Sequence, residues 1–574
     1  MGEEWYKKQL YKLWSYNISD SLDNIKPFTV DGVPIRKLFI GNLAQRTTHK
    51  DLEKLFSVYG KLDSCFLKRN TCKYNYAFVT FKSTHEALEA RKDGLKKKIH
   101  LHNRDLRVMP ADSWHQPDSI ENQNKKVQKA SESMQKISTT YILNDDAEIH
   151  KLNNDCLMHV FMFLPIIDKI KMERVCRRWR IISQESWRTF KKLDLSQSSW
   201  GFDILNNGPR EVYTATLRQV LLRCGQFLSH IDLSKFTENL SQSTLTIVAR
   251  LCPNLQHINI TGLAVSSAGI KTLTDNCHNI TEFSLGLCSA SCDNDLSDLF
   301  LKNEKLRYLK LTGNSISGRC LLNLPVESIE IIILDDCNNI SPEYFHTAIQ
   351  RLQKLHTLSV KKCITFADQT VKAISLCSKS LKVLCLCHYY PMIVRNAMLC
   401  IAELVNLETL NLNHNISVGD EFLVGVGAQC KQLKNVDISC CKAVTNKGLA
   451  AIISLPNLQH LSINYLFLVT DEVLTEMVNL RTMHCQNCFG FKNTGLCRLI
   501  EESHQLELLD FSGCTCIDNE LVDIAIKATR NRTNNTILKM YVGNTSINVS
   551  EITKVSPFLQ VLNVDLTKSE HLNW

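Results

Sequence analysis

Residues 74–81 read YNYAFVTF, and they alternate as a strand does, with successive side chains on opposite faces. One face carries Ala77, Val79 and Phe81, which is ordinary core. The other carries Tyr74, Tyr76 and Phe78, three rings on the side that meets water. Residues 1–112 hold 21 Lys and Arg against 13 Asp and Glu, whereas residues 113–574 hold 46 against 45. Nearly all of the net charge of +9 therefore sits with the aromatic strand. A basic module joined to a neutral body suggests that the N-terminal part meets an anion. A second pattern, Cys485-x-x-Cys488, has the spacing of half a zinc site, yet no second ligand pair stands at a suitable distance. There is no Walker loop, no G-x-S-x-G and no H-E-x-x-H. The chemistry expected is therefore binding, with no catalytic residue, no metal and no cofactor.

The elements that must hold these residues fall into zones. Residues 1–35 form an N-terminal extension, in which EEWYKKQLYKLWSY (3–16) reads as a short helix that is either a packed cap or a partner-binding peptide. Residues 36–111 alternate strand and helix patterns. Residues 112–147 are rich in Ser, Gln, Asn and Lys without an apolar period, which reads as a flexible linker. Residues 148–192 carry a compact helical pattern, residues 193–566 an internal repeat, and 567–574 a tail. No run of about 18 apolar residues is present, so a membrane span is not expected. The start, MGEEWYKKQL, is polar rather than a secretory signal. Tyr6 stands where a myristoylation start needs Ser or Thr. An intracellular chain, cytoplasmic or nuclear, is expected, with its 24 cysteines as free thiols.

The repeat follows L-x-x-L-x-L-x-x-C. Leu255, Ile258 and Ile260 fit it, as do Ile280, Phe283, Leu285 and Cys288. Further copies are Ile329–Cys337, Leu355–Cys363, Leu407–Asn415, Leu433–Cys441, Leu480–Cys488 and Leu506–Cys514, most often 26 residues apart. Stacked copies bury what one copy cannot. The pattern resembles the cysteine-containing leucine-rich repeats and implies an α/β solenoid. The residue three past the last Leu then turns inward to meet backbone groups, a place that suits both Cys and Asn, and Cys485 and Cys488 are expected in repeat positions. A concave strand face would carry Lys310, Lys361, Lys362, His388, His414, Tyr465, His484 and Tyr541, open to an unknown client protein or simply solvated.

In DCLMHVFMFLP (155–165), Leu157, Val160, Phe161 and Leu164 make one helical stripe ended by Pro165. Ile170, Val175, Cys176, Trp179 and Trp187 follow. Leu152, Leu164-Pro165, Val175-Cys176-Arg177-Arg178-Trp179 and Trp187 resemble an F-box, with Asn153 where that family usually has Pro. The resemblance implies that Leu152, Leu157, Val160, Phe161, Leu164 and Pro165 meet a Skp-type adaptor of a cullin-based ligase. Val175, Cys176 and Trp179 would be shared between adaptor and packing. A helical cap on the first repeat is the other reading.

Upstream of the aromatic strand, KLFIGNL (37–43) is a strand with Leu38 and Ile40 on one side and Phe39 on the other. Thr48 to Asp51 reads as a capping box. Helix, strand, aromatic strand, helix and a last strand in RDLRVMPA (104–111) complete βαββαβ. This α+β order, with LFIGNL and YNYAFVTF, resembles an RNA recognition motif. The resemblance implies that Phe39, Tyr76 and Phe78 stack unpaired bases. Tyr74 and Asn75 depart from the usual Lys/Arg-Gly start, so the usual phosphate-pairing cation is missing there, and Asn75 stands where Gly allows a positive φ. Lys37, Lys68, Arg69, Arg107 and Lys96 to Lys98 are the phosphate candidates. A motif turned to protein binding is the alternative.

Together these resemblances imply a multidomain, non-catalytic substrate receptor of an SCF-type ubiquitin ligase that also binds single-stranded RNA. The alternative is an RNA-binding regulatory scaffold in which the F-box only packs.

Overall fold

The computed structural model describes residues 27–29, 33–68, 75–111, 116–119, 148–201, 212–235, 239–288, 292–377, 380–475, 477–530, 532–552 and 556–568. The 3–16 segment, Arg69, Tyr74, most of 112–147 and residues 569–574 lie outside the described residues.

In the N-terminal module the elements are β1 (Lys37–Leu43), α1 (His49–Phe56), β2 (Leu62–Lys68), β3 (Asn75–Phe81), α2 (Thr84–Leu95) and β4 (Arg107–Pro110). The strands form one antiparallel sheet in the order β2-β3-β1-β4. Both helices begin on a capping box. Thr48 is reciprocated by Asp51, as its sequence foretold, and Ser83 by Glu86. Each box satisfies backbone donors that a first helical turn leaves orphaned. The helices cover one sheet face, where Leu38, Ile40, Ala77, Val79 and Phe81 meet Leu52, Phe56, Ala87 and Ala90. A side chain on Gly94 would come within 2.6 Å of Val108 Cβ, so glycine lets α2 approach β4.

The module extends past both boundaries expected from the sequence. Val33 and Ile35 are buried ahead of β1. Gln116, inside the expected linker, is fully buried. Its Oε1 accepts from the backbone N–H of Arg36 and Lys37 at 2.9 and 2.8 Å, and its Nε2 donates to Lys37 and Ala111 carbonyls at 2.9 and 2.8 Å. Asp118 pairs with Arg36 at 2.5 Å, and the carboxylate raises the Arg36 pKa. One amide thus prolongs the β1–β4 ladder after the chain has left it. Composition hides this, because a single Gln in a polar stretch has no periodicity.

The C-terminal body begins with α3 (Asn154–Met162), α4 (Ile166–Met172) and α5 (Arg177–Ser186). Leu157 and Phe161, four apart on α3, pack on Trp179 and Ile182 of α5. Phe161 and Trp179 meet edge to face at 5.2 Å. Behind them Glu173 is buried, receiving Trp187 Nε1 at 3.1 Å and Arg223 at 2.9 to 3.1 Å. That ion pair ties the three-helix unit to the residues leading into the repeats.

The repeats build one sheet of fifteen strands, each bonded to the next in chain order, from Lys192–Leu193 to Leu559–Leu562. The pairing is parallel throughout. All the apolar repeat positions read from the sequence are buried. Units centred on Tyr308–Thr312, Val383–Cys387 and His460–Ser462 add to the copies read from the sequence; their ninth positions are Asn314, Tyr389 and Leu466. The inward slot works as expected. Cys441, Cys488 and Cys514 donate to carbonyls of the preceding repeat at 3.2, 3.1 and 3.1 Å, and Asn415 Nδ2 does the same to Leu386 at 3.1 Å. In the Val383–Cys387 unit, Tyr390 Oη donates to Val360 O at 2.7 Å instead. A second cysteine set closes helices: Cys277 and Cys430 donate to carbonyls at 3.3 and 3.4 Å, and burial pushes their thiols up to about 12 and about 11. Among the described residues no helix is long and apolar enough to cross a membrane.

Candidate nucleic-acid interface and adaptor surface

The open face of the four-stranded sheet is set by register. Phe66 of β2 stands opposite Phe78 of β3, Phe78 opposite Phe39 of β1, and Phe39 opposite Met109 of β4. Alternation keeps all four off the helical side, so they form a row across the whole sheet. Phe39, Tyr76 and Phe78 make a triangle with centroids 5.7 to 5.9 Å apart. A side chain on Gly41 would approach Phe39 Cε1 to 3.1 Å, so glycine there leaves the ring room to lie on the sheet. Phe39, Tyr76 and Phe78 are half-buried by one another, while Phe66 is 58% exposed.

Lys37 Nζ sits 5.0 Å over the Phe78 ring, and partial burial lowers its pKa. Arg107 is exposed on β4, its Nε donating to Met109 Sδ at 2.9 Å. Lys68 is exposed opposite Tyr76. Lys37, Lys68 and Arg107 therefore frame the rings. Lys96, Lys97 and Lys98 follow α2, which covers the other face, and Lys98 lies 3.9 Å from Asp93. Asn75 lies within β3 and is buried, without a positive φ; the left-handed residue nearby is Asn42. Tyr74 and Arg69 lie outside the described residues. Phe66 and Met109 were missed because the two signatures cover only β1 and β3. Alternation in KLDSCFLK and RDLRVMPA puts both on the open face.

On the three-helix unit the structure separates the residues expected at the adaptor. Leu157 and Phe161, expected at the adaptor, are buried in its own core, and Trp179, expected to be shared between adaptor and packing, packs there with them. The correction has a simple cause: so small a unit needs its widest stripe as interior. Leu164, Pro165 and Cys176 are half-buried, and the Cys176 Sγ caps α5 by accepting from Trp179 N–H at 3.4 Å. Leu152, Val160 and Val175 remain exposed. The sequence reading missed Phe163 and Ile181, 75% and 67% exposed, and Met162. Phe163 stands edge-on to His159 at 5.0 Å. Its exposure follows from the helix ending at Met162, one residue before it.

On the repeats, His484 is sealed rather than open, 3.3 Å from Asp510. Burial pushes the Asp510 carboxyl up, yet hydrogen bonds from His484, Gln486 and Ser512 hold it below its usual range. Lys310, Lys361 and Tyr541 are half-buried on strands. Lys362, His388, His414 and Tyr465 have positive φ and lie past the strand ends, on the rim rather than the concave face. Among the described residues no group of His, Cys, Asp and Glu could hold a metal ion.

Residues 38–104 match the family model of the RNA recognition motif, and residues 149–191 that of the F-box domain. EEED8.10 of Caenorhabditis elegans, named as a candidate RNA-binding protein, is 23% identical over 552 residues, which cover 90% of this chain and 73% of that one. Human F-box/LRR-repeat protein 12 is 22% identical over 233 residues, covering 40% of this chain and 68% of its own. A chain of the yeast Rad7 and Elc1 complex superposes with a TM-score of 0.38 at 16% identity, over 69% of this chain and 97% of that one. This chain carries an RNA recognition motif and an F-box domain, followed by a long parallel-strand solenoid of the leucine-rich-repeat kind.

Proposed function

We propose that the protein is a substrate receptor of an SCF-type ubiquitin ligase that is brought to RNA by its own recognition motif. One observation carries this reading: among the described residues, two modules with sealed interiors each expose large apolar side chains. Phe66 and Met109 are exposed beside the half-buried Phe39, Tyr76 and Phe78 on one, and Val160, Phe163 and Ile181 are exposed on the other. Apolar surface left merely wet is a liability, and rimmed by polar groups it marks a binding site. On the sheet, unpaired bases stack on the rings while Lys37, Lys68 and Arg107 neutralise phosphates. On the F-box, a Skp-type adaptor covers the exposed residues and Leu157, Phe161 and Trp179 hold the helices that present them. The solenoid holds a client protein, and partner subunits transfer ubiquitin.

The test is affinity purification of the full chain from cells, with and without nuclease. Adaptor retained under both conditions, together with RNA lost on nuclease treatment, is the expected outcome. A wild-type protein that never retains the adaptor refutes the ligase role and leaves an RNA-binding scaffold.

A further inference from the structure

Six successive turns, residues 362–367, 388–394, 412–419, 438–445, 463–470 and 485–492, leave the same ends of adjacent parallel strands. They must therefore lie side by side along one rim. Each turn holds a left-handed residue: Lys362, His388, His414, Cys440, Tyr465 and Asn487. Outside glycine that conformation costs roughly 1–2 kcal/mol per residue. Each of these residues donates its N–H to a carbonyl of the next repeat at 2.7 to 3.3 Å, which fixes the turns in a row.

The composition of this rim is one-sided. Its six turns contain Lys362, Lys442 and Lys492, all exposed, and no Asp or Glu. None of the three lysines has an ion pair among the described residues. Of the acids at the helix starts behind the turns, Asp368, Asp420 and Asp471 are turned into the fold, accepting from Val394 N–H at 2.8 Å, Thr445 N–H at 2.9 Å and Gly495 N–H at 2.6 Å, while Glu421 and Glu472 are exposed. Between the lysines stand Ile364, Met392, Ile416, Phe467, Leu468 and Phe489, each 45 to 61% exposed. The opposite rim differs. There Glu408 takes Lys382 at 3.2 Å and Lys434 at 2.7 Å, and Glu507 takes Arg481 at 3.1 Å, so opposite charges pair between neighbouring repeats.

We infer that the rim from Lys362 to Lys492 docks an extended acidic segment of the client that carries large apolar side chains. This rests on the client-binding reading above and names the chemistry of the client. Unpaired lysines fit carboxylates, and clustered exposed apolar residues fit apolar anchors. Six strands at about 4.8 Å spacing span ~24 Å, the reach of roughly seven extended residues. A nucleic acid fits less well. The anchors are mostly aliphatic, and Phe467 and Phe489 stack on each other at 5.9 Å, 11° from parallel, leaving no slot for a base between them.

The test pans a random twelve-residue peptide library against the full-length, nuclease-treated protein. The winners are then measured on two surface variants, Phe467→Ser/Phe489→Ser and Lys442→Glu/Lys492→Glu, after thermal melting has shown each folded. Enriched peptides should be net acidic with two or more large apolar residues, and should bind each variant at least tenfold more weakly. A library that enriches nothing, winners without an acidic excess, or winners indifferent to both variants overturns the inference. So does a 20-nucleotide single-stranded RNA that still binds Phe39→Ala/Phe78→Ala and is released by adding Lys442→Glu/Lys492→Glu, since the rim is then a nucleic-acid site. Winners should bind Phe163→Asp unchanged, so loss of adaptor capture and loss of rim binding are read separately.

Discussion

The two large sheets of the molecule solve the same problem differently. Each covers one face with helices and must dispose of the other. The four-stranded sheet puts aromatic rings on its open face, in a row that runs from Phe66 to Met109. The fifteen-stranded sheet puts small polar side chains there, Ser359, Asp437, Ser462 and Asp510 among them, and these are buried. Six of its exposed apolar side chains, Ile364, Met392, Ile416, Phe467, Leu468 and Phe489, stand on the turns at one rim. Stacking needs broad flat rings on a broad flat surface, which a short antiparallel sheet provides. A long parallel stack offers instead a repeated edge, and its residues of type and charge line up only because the repeat brings equivalent positions together. The two proposed binding surfaces therefore follow architecture: a face in one module, an edge in the other.

The largest expected effect separates core from surface on the F-box. Phe161→Ala should cost about 3–5 kcal/mol of stability, because it empties the contact with Trp179. Phe163→Asp should leave stability within about 0.5 kcal/mol, because the side chain is exposed, yet abolish adaptor capture. Denaturant unfolding and a pull-down on the same variants give both readouts. Adaptor retained by a folded Phe163→Asp protein would show that the exposed side chains are not the contact.

Next come the rings. Phe39→Ala/Phe78→Ala should lose roughly 2–6 kcal/mol of single-strand affinity, at about 1–3 kcal/mol per base, with the salt slope unchanged. Phe66→Ala alone should lose roughly 1–3 kcal/mol, which extends the stacking row to β2. Fluorescence anisotropy with a labelled RNA measures both. An unchanged affinity for Phe66→Ala would confine stacking to β1 and β3.

In the solenoid the comparable test concerns the inward slot. Asn415→Val removes the donor to Leu386 O and should cost about 1–3 kcal/mol, while Asn415→Cys should restore most of it, since Cys fills that slot in neighbouring copies. Equal losses would mean that the slot selects volume rather than a donor.

What was legible in the sequence divides along the same line. Alternation in YNYAFVTF and the 26-residue period each report a face, so the aromatic side of β3 and the buried repeat positions were read correctly from residue order. Resemblance told that an F-box was present but not which of its apolar residues point outward. Leu157 and Phe163 look alike in a string, and only packing against Trp179 and Ile182 assigns them. Gln116 was invisible for a related reason. Its four backbone contacts depend on a chain reversal that leaves no periodic mark. The rim is half visible in the sequence: Lys362, His388, His414 and Tyr465 are expected on the concave face, whereas Lys442 and Lys492 carry no sequence signal. The left-handed position that carries each turn past its strand end is held by a residue other than glycine, so nothing in the sequence announces it.

The smallest effect concerns the charges that frame the rings. Arg107→Ala and Lys37→Ala should each weaken RNA binding similarly for all sequences and reduce the salt slope by about 1. The two are not equivalent. Arg107 is exposed and touches the row only through Met109 Sδ, so its loss should act mainly on phosphate. Lys37 lies over the Phe78 ring and its burial lowers its pKa, so its removal also frees that ring to shift. Lys37→Ala should therefore lose more affinity at high salt than Arg107→Ala does, because salt screens the phosphate contact but not the stacking. Titrating each variant with one labelled RNA from low to high salt resolves the difference. Parallel lines for the two variants would mean that Lys37 serves only as a cation, and that the ring beneath it needs no lid.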